Sequence, residues 1–379
     1  MNVTKVLEVS RYKKEYKDHQ LPFVTEQGES LRKAGCEVDY FLVLGNYIKA
    51  VGALKKKIRE FKPDVVHAHY GLSAITAELQ GLVPVVTTFH NGETHNWHVN
   101  LMTSLMSLRA KHVIYVAQHI RDMVYFKAKH YSIIPCGVSL EDCFLIDKAE
   151  ARKQLGWSAD KKYIMFGGAF ENLRKNYPLL REAVDLLELT KKEESEPIGI
   201  SSNNHDPKSA QEQALGQPSA QFCSVSLVHS SEKNNSKNAK NDHADSKIEI
   251  VEMRGLTREQ CVLRMNAADV FALPTKNEGS PQALKEAMAC NCPIVATDVA
   301  DIKHLLGGLP GHYVLPNKKG NAAWWGGDDH SVEELAELIR QALAFNGRTK
   351  GRERIIELGY TNELVAKKII EIYEGIIKK

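Results

Sequence analysis

The chain has 379 residues, 43% of them apolar and 26% charged, and a net charge of +3. A single core stops growing well below this length, so two domains are expected, and the charge excess is too small for a nucleic-acid binder. No apolar run approaches the roughly 18 residues of a membrane span. The seven cysteines are scattered, which fits reduced thiols, and Met1–Lys5 runs directly into a strand pattern with no secretory core, so a cytoplasmic protein is expected.

Short apolar runs alternate with helix-period segments along the chain. Strands are predicted near 4–9, 37–43, 64–67, 83–88, 112–116 and 131–134. Between them, 46–61 carries Ile48, Val51, Leu54, Ile58 and Phe61 at steps of three and four, an amphipathic helix. Lys55, Lys56, Lys57 and Arg59 flank that stripe. They form either a solvated face or a contact with an anionic membrane surface. A pause at Pro135-Cys136-Gly137-Val138 reads as a linker. The rhythm resumes with a strand at 163–167, a helix at 176–190, and strands near 248–251, 269–273, 293–297 and 312–315. Ser331-x-x-Glu334 has the form of a capping box, and an amphipathic helix begins at Asn362. The βαβα rhythm predicts an α/β fold of two parallel-sheet domains. Residues 193–247 depart from it: they are polar and poor in apolar residues, except for a strand-like run at 222–228.

The most informative segment runs from Leu273 to Ala289 and contains Glu278-Gly-Ser-Pro-Gln-Ala-Leu-Lys-Glu286. It follows a predicted strand and becomes helical. Ser280 is a suitable N-cap and Pro281 a suitable first helical residue. The amides of Gln282 and Ala283 then lack intrahelical partners and, with the helix dipole, form an anion site suited to phosphate. Ser280 itself is able to satisfy one of them. Glu286 lies one turn further in on the same face, where a carboxylate can accept from the vicinal diol of a ribose. Glu278 stands in the loop outside the carboxyl end of the strand, where ligands bind in open α/β sheets. The plainer alternative is a capped helix with two surface glutamates.

This segment, continuing to Asp298, resembles the donor-site signature of glycosyltransferase family 4. Phe61–Gly71, Val85–Glu93, Ile133–Val138, Arg174-Lys175-Asn176 and Glu371–Glu374 resemble further segments of that family, and only roughly 190–247 falls outside the likeness. The resemblance implies a GT-B fold, two Rossmann-like domains facing a cleft. The N-terminal, acceptor-side domain would span 1–140 and the donor-binding domain 141–358. A terminal helix at 359–379 would be placed to pack back on the first domain. It implies a retaining transfer of sugar from a nucleotide-diphosphate sugar to a glycan or lipid-linked acceptor in cell-surface polysaccharide assembly, without a metal or other cofactor. By position, Glu286 would hold the ribose. Glu278, with the backbone at Gly279, Ser280 and Pro281, would grip the sugar hydroxyls. Gln282 and Ala283 would contact the diphosphate, Lys175 would neutralise it as it leaves, and His90 would face sugar and acceptor, with Glu93 nearby. Three positions depart from the family pattern. Ala169 stands where the family has arginine, leaving Arg174 to supply that charge; Ser10-Arg11-Tyr12 replaces a glycine pair; and Asn291 replaces a glycine.

Two rival readings remain. One is a nucleotide-sugar epimerase of the same fold. The other is a metal-dependent hydrolase built on His67 and His69, two imidazoles on one face of a strand, with His90, His95 and His98 as further ligands. Against these, Gly167-Gly168-Ala169 is too short for a dinucleotide fingerprint and no nucleophile elbow occurs.

Overall fold

The structure, a computed structural model, describes residues 3–14, 21–92, 94, 96–195, 247–317, 330–345 and 347–378. The expected strand at 222–228, most of the polar segment around it, and Glu93 and His95 lie outside these residues.

The first sheet has six strands: β1 (Lys5–Arg11), β2 (Glu37–Val43), β3 (Val65–His69), β4 (Val85–Phe89), β5 (His112–Tyr115) and β6 (Tyr131–Ile133). They run parallel in the order β2-β1-β3-β4-β5-β6. Helices α1 (Pro22–Lys33), α2 (Ala50–Phe61), α3 (Gly71–Leu79), α4 (Trp97–Ser107) and α5 (Gln118–Met123) alternate with them. Parallel strands need crossovers, and the helices that supply them cover both faces of the sheet. The inner strands β3 and β4 are accordingly buried along their whole length and carry paired valines.

The second sheet has five: β7 (Lys162–Phe166), β8 (Ile248–Val251), β9 (Val270–Leu273), β10 (Ile294–Thr297) and β11 (His312–Leu315), parallel in the order β11-β10-β9-β7-β8. Its helices are α6 (Lys148–Leu155), α7 (Tyr177–Ser195), α8 (Arg258–Ala267), α9 (Gln282–Ala289), α10 (Ile302–Leu306), α11 (Val332–Ala344) and α12 (Gly351–Glu357). One core lies on each face of this sheet. One gathers Phe271, Leu284, Met288 and Leu305, and the other Phe166, Leu180, Val295 and Ile339. Asp269, at the head of β9, draws α6 onto the sheet by accepting from Lys148 and Arg152, each at 2.6 Å, and from the Tyr163 amide at 2.7 Å.

The last helix, α13 (Asn362–Ile377), leaves the second domain and packs on the first. Val365, Ala366, Ile369 and Tyr373 join Val6, Leu31, Val65 and Val86 in one core. The two passages of chain between the domains touch where they cross. The Val138 amide donates to Tyr360 O at 2.9 Å, and the Asn362 amide to Val138 O at 3.0 Å, closing a parallel bridge between Val138 and Thr361. Gly137 permits this contact, since a β-carbon there would lie 2.6 Å from the Asn362 side chain and 2.9 Å from its Cα.

One local expectation changes and another is met in part. The helix expected over 46–61 begins at Ala50, and Ile48 is 67% exposed rather than part of the buried stripe, because Asn46 turns the chain there by accepting from the amides of Ile48 and Lys49. Ser331 caps α11 by accepting from the Glu334 amide at 3.2 Å. A reciprocal capping box also stands before α8, between Thr257 and Gln260.

Truncating Ile369, fully buried between α13 and the first sheet, removes contacts that tie the chain end to the N-terminal domain. Ile369→Ala is expected to cost about 2–4 kcal/mol of unfolding free energy in a denaturant titration, whereas a change below about 1 kcal/mol would show that the helix adds little to that core.

Candidate active site

The carboxyl ends of both sheets face each other, and the loops leaving them meet in a crevice. The C-terminal side is built on the turn after β9. Glu278 is buried there although ionisable. Its Oε1 lies 2.7 Å from Lys175 Nζ and accepts from Thr275 Oγ1 at 3.2 Å, and its Oε2 lies 3.6 Å from Arg174 Nη1. Both cations sit on a short 3₁₀ turn, Leu173–Lys175, which the Asn172 side chain caps by accepting from the Arg174 amide. The Lys175 stem lies on Gly168, where a β-carbon would come within 2.8 Å of its Cγ. Arg174 also donates to Asn277 O at 3.2 Å. It therefore reaches the loop that carries Glu278.

Gly279 lets the two domains touch. A β-carbon on it would fall 2.4 Å from the His90 carbonyl oxygen. Around that contact the Asn91 side chain donates to Asn277 Oδ1 at 3.1 Å, and His119 Nε2 lies 3.2 Å from Glu278 O. One turn further on, Gln282 Nε2 donates to Gly137 O at 2.7 Å and Lys285 Nζ to Cys136 O at 2.5 Å. Lys285 is fully buried, and burial holds its ammonium below the ordinary lysine range.

Ser280 does not cap the helix. Helix α9 starts at Gln282 with Pro281 in the capping position and no side chain bonded to its first amides. The Ser280 hydroxyl instead donates to Asp301 Oδ2 at 2.7 Å. Because a carboxylate claims that hydroxyl, the amides at the start of α9 keep their capacity for an anion.

Glu286 is buried at the same crevice, 3.1 Å from Arg258 Nη1. Arg258 opens α8 and also pairs, across the crevice, with Glu26 of α1. Two carboxylates thus share one guanidinium. Burial raises both, Glu26 to about 7, with Glu286 adding to the rise.

His90 ends β4 and is half-buried among Phe23, Tyr70 and His69, with ring centroids at 4.4, 5.2 and 5.4 Å. That burial lowers its basicity well below the ordinary imidazole range. Behind it runs a buried polar chain that follows from strand register. Glu8 faces His67 across β1 and β3, and His67 and His69 share one face of β3. His69 Nε2 lies 2.6 Å from Glu8 Oε2, and His69 Nδ1 lies 3.2 Å from His90 Nε2. His67 places Nε2 2.7 Å from Thr88 Oγ1 and Nδ1 2.5 Å from the Tyr373 hydroxyl of α13. Burial pushes His67 down to about 3, so it is neutral. Burial opposes ionisation of Glu8, yet the His69 ring at Oε2 and the Gln27 amide at Oε1 favour its carboxylate and hold that carboxyl below its ordinary value. The contact between His69 Nδ1 and His90 Nε2 ties the tautomer of one ring to that of the other.

Sequence reasoning selected Glu278, Glu286, Lys175, Arg174 and the α9 start, and the structure brings these to the crevice with His90. It missed Glu8, Glu26, Arg258, His119 and Lys285. Glu8 carried one signal, a carboxylate inside an apolar strand. Glu8 also brings a carboxylate to the His67–His69 pair of the metal reading, and ligand atoms of Glu8, His67 and His69 lie within 4.8 Å of one another. His67 has both ring nitrogens within hydrogen-bond distance of Thr88 and Tyr373. On α2, Lys56 faces Glu60 at 3.9 Å and Lys57 pairs with Asp39, while Leu54 and Ile58 are buried.

Both halves of the chain match models of glycosyltransferases. Residues 23–142 match the family model described as Glycosyltransferase Family 4, and residues 214–344 match Glycosyl transferases group 1. The putative teichuronic acid biosynthesis glycosyltransferase TuaC of Bacillus subtilis is 24% identical over 264 residues, 66% of this chain; the match spans only 57% of that protein. Among solved structures, the sucrose-phosphate synthase of Thermosynechococcus elongatus superposes with a TM-score of 0.65 at 17% identity, covering 99% of each chain. Anabaena HepE in complex with UDP and glucose gives 0.61 at 13% identity, covering 98% of this chain and 100% of that one.

The burial of Glu26 makes the crevice sensitive to pH. Glu26 binds its proton more tightly folded than unfolded, so stability is full below pH ~4.5 and declines as pH rises through about 7. Thermal unfolding followed from pH 5 to 8 should show this decline, and Glu26→Gln should flatten it; an unchanged slope in the variant would assign the decline elsewhere.

Proposed function

The chain belongs to glycosyltransferase family 4, and from that premise we propose that it transfers a sugar from a nucleotide-diphosphate sugar to a hydroxyl of a glycan or lipid-linked acceptor, with retention at the anomeric carbon. One observation carries this reading. Glu278 and Glu286 are both buried at the interdomain crevice, on either side of a helix start whose side-chain cap has been drawn away by Asp301. Such a site offers acceptors for sugar and ribose hydroxyls and donors for the diphosphate between them. The solved neighbour HepE, with UDP and glucose or with UDP-glucose, supports a nucleotide sugar as the donor class. TuaC, named for teichuronic acid biosynthesis, supports a role in polysaccharide assembly.

In this mechanism the bond between the anomeric carbon and the diphosphate oxygen breaks with its electron pair passing to the diphosphate. The acceptor oxygen attacks from the face being vacated, and its proton passes to the departing phosphate. The barrier is dominated by charge on the leaving group. Lys175, now paired with Glu278, and the α9 amides meet that charge, and Arg174 adds a second cation with bidentate capacity. The balancing cation is a side chain, so the reaction calls for no metal or other cofactor. Closure of the crevice excludes water that would hydrolyse the donor. His90 faces sugar and acceptor, and Glu8 acts through His69 to fix which nitrogen of His90 carries its proton.

A second reading takes the Glu8–His67–His69 cluster as a metal centre of a hydrolase. A metal there would have to displace the His67 contacts to Thr88 and Tyr373. Metal bound in stoichiometric amount to purified protein, with activity lost to chelator, would favour it.

Donor binding and turnover are expected to separate. In calorimetry with UDP-sugars, Glu286→Ala should weaken binding roughly 10-fold or more, the scale of a lost hydrogen bond to a charged group, and Lys175→Ala should chiefly lower kcat, by about 100-fold. Unchanged values in both variants would remove the site assignment. For the buried chain, Glu8→Gln should lower kcat at least roughly 10-fold and shift the pH profile while leaving donor affinity intact; a loss of affinity with an unmoved profile would mark it as structural only.

A further inference from the structure

Helix α4 is inverted. A surface helix ordinarily buries its apolar stripe and shows its polar face to water. Here Asn100, Thr103, Ser104 and Ser107 are the buried residues. Trp97, Leu101, Leu105 and Leu108, spaced as one stripe, are 59, 42, 51 and 48% exposed. The orientation is fixed from inside. The Asn100 side chain donates to Met123 O at 2.9 Å and accepts from the Tyr125 amide at 3.3 Å, and Ser104 donates to Asn100 O at 2.6 Å. Packing on α3 leaves no room for a larger residue, since a β-carbon on Gly71 would lie 2.4 Å from Thr103 Cβ. Turning the helix to hide its stripe would break all of these contacts. The Asn100 bond also holds the neighbouring turn, whose Tyr125 and Phe126 are 57 and 39% exposed.

Charge identifies what covers this face. From Thr94 to Leu140 the chain has five Lys or Arg and one acid, Asp122. That acid faces Arg121 at 3.9 Å and accepts from Gln118 at 2.8 Å. Lys111, Lys127 and Lys129 are exposed and form no ion pair among the described residues, while exposed Arg109 acts electrostatically on Glu78 of α3. An apolar stripe with aromatic residues and flanking cations matches the interface of an anionic bilayer. A second copy on the same face would set cation against cation. We propose that α4 and the Tyr125–Phe126 turn dock this chain on an anionic lipid surface, the helix lying in the plane of the headgroups. His90 and Asn91 stand shortly before α4 in the chain, so docking there would bring this end of the first domain to the lipid. If the glycosyltransferase reading above is right, the acceptor is lipid-linked.

Flotation of the whole chain with vesicles tests the docking. Phosphatidylcholine–phosphatidylglycerol vesicles should carry the protein, and phosphatidylcholine alone or high salt should not. Leu101→Ser/Leu105→Ser and, separately, Lys127→Glu/Lys129→Glu should each reduce binding at least about 10-fold, with thermal midpoint and UDP-sugar binding unchanged. Lack of flotation overturns the proposal, as does full binding by both variants. So does a wild-type dimer, seen in sedimentation, that the leucine variant dissociates. The assay contains no sugar nucleotide, so its failure leaves the donor site standing; loss of donor recognition would instead appear in calorimetry with the wild-type chain.

Discussion

The architecture of the crevice turns on a carboxylate held out of water between two cations. Glu278 is buried, and a charge so placed needs partners close by. Lys175 and Arg174 provide them from the loop after β7, while Thr275 adds a hydroxyl from the same turn. The arrangement joins the turns after β7 and β9 into one rigid unit. Gly279, next in the chain, then lies hard against the His90 carbonyl of the other domain. In the proposed reaction an incoming diphosphate would meet cations already in position and would compete with Glu278 for them.

The N-terminal side is organised by a different economy. Its polar groups are threaded through the sheet, from Tyr373 to His67 and from Glu8 to His69 and His90. Each is bonded, as buried polar groups must be. The chain end contributes to this network, so the position of His90 depends on a residue more than 280 positions away.

Much of the fold was legible because parallel sheets write themselves as apolar runs separated by helical periods. The Glu278–Glu286 segment was legible because its chemistry is local: strand, turn, helix start and carboxylates follow one another in the chain. What escaped was set by distance in sequence. Arg258 gains meaning only when α1 and α9 converge on it, and Glu8 only when β1 pairs with β3. Ser280 illustrates the limit in one residue. Its sequence context is that of a cap, but Asp301, twenty-one residues on, offers a stronger acceptor.

The chain passes between its lobes twice, and the passages are laced together at Val138 and Thr361. A single tether would let one lobe swivel freely beneath the other. Paired strands lying side by side resist torsion yet still bend across their line. The lobes should therefore gape and shut like a book bound along its spine, returning Gly279 to the same seat against His90 at every cycle.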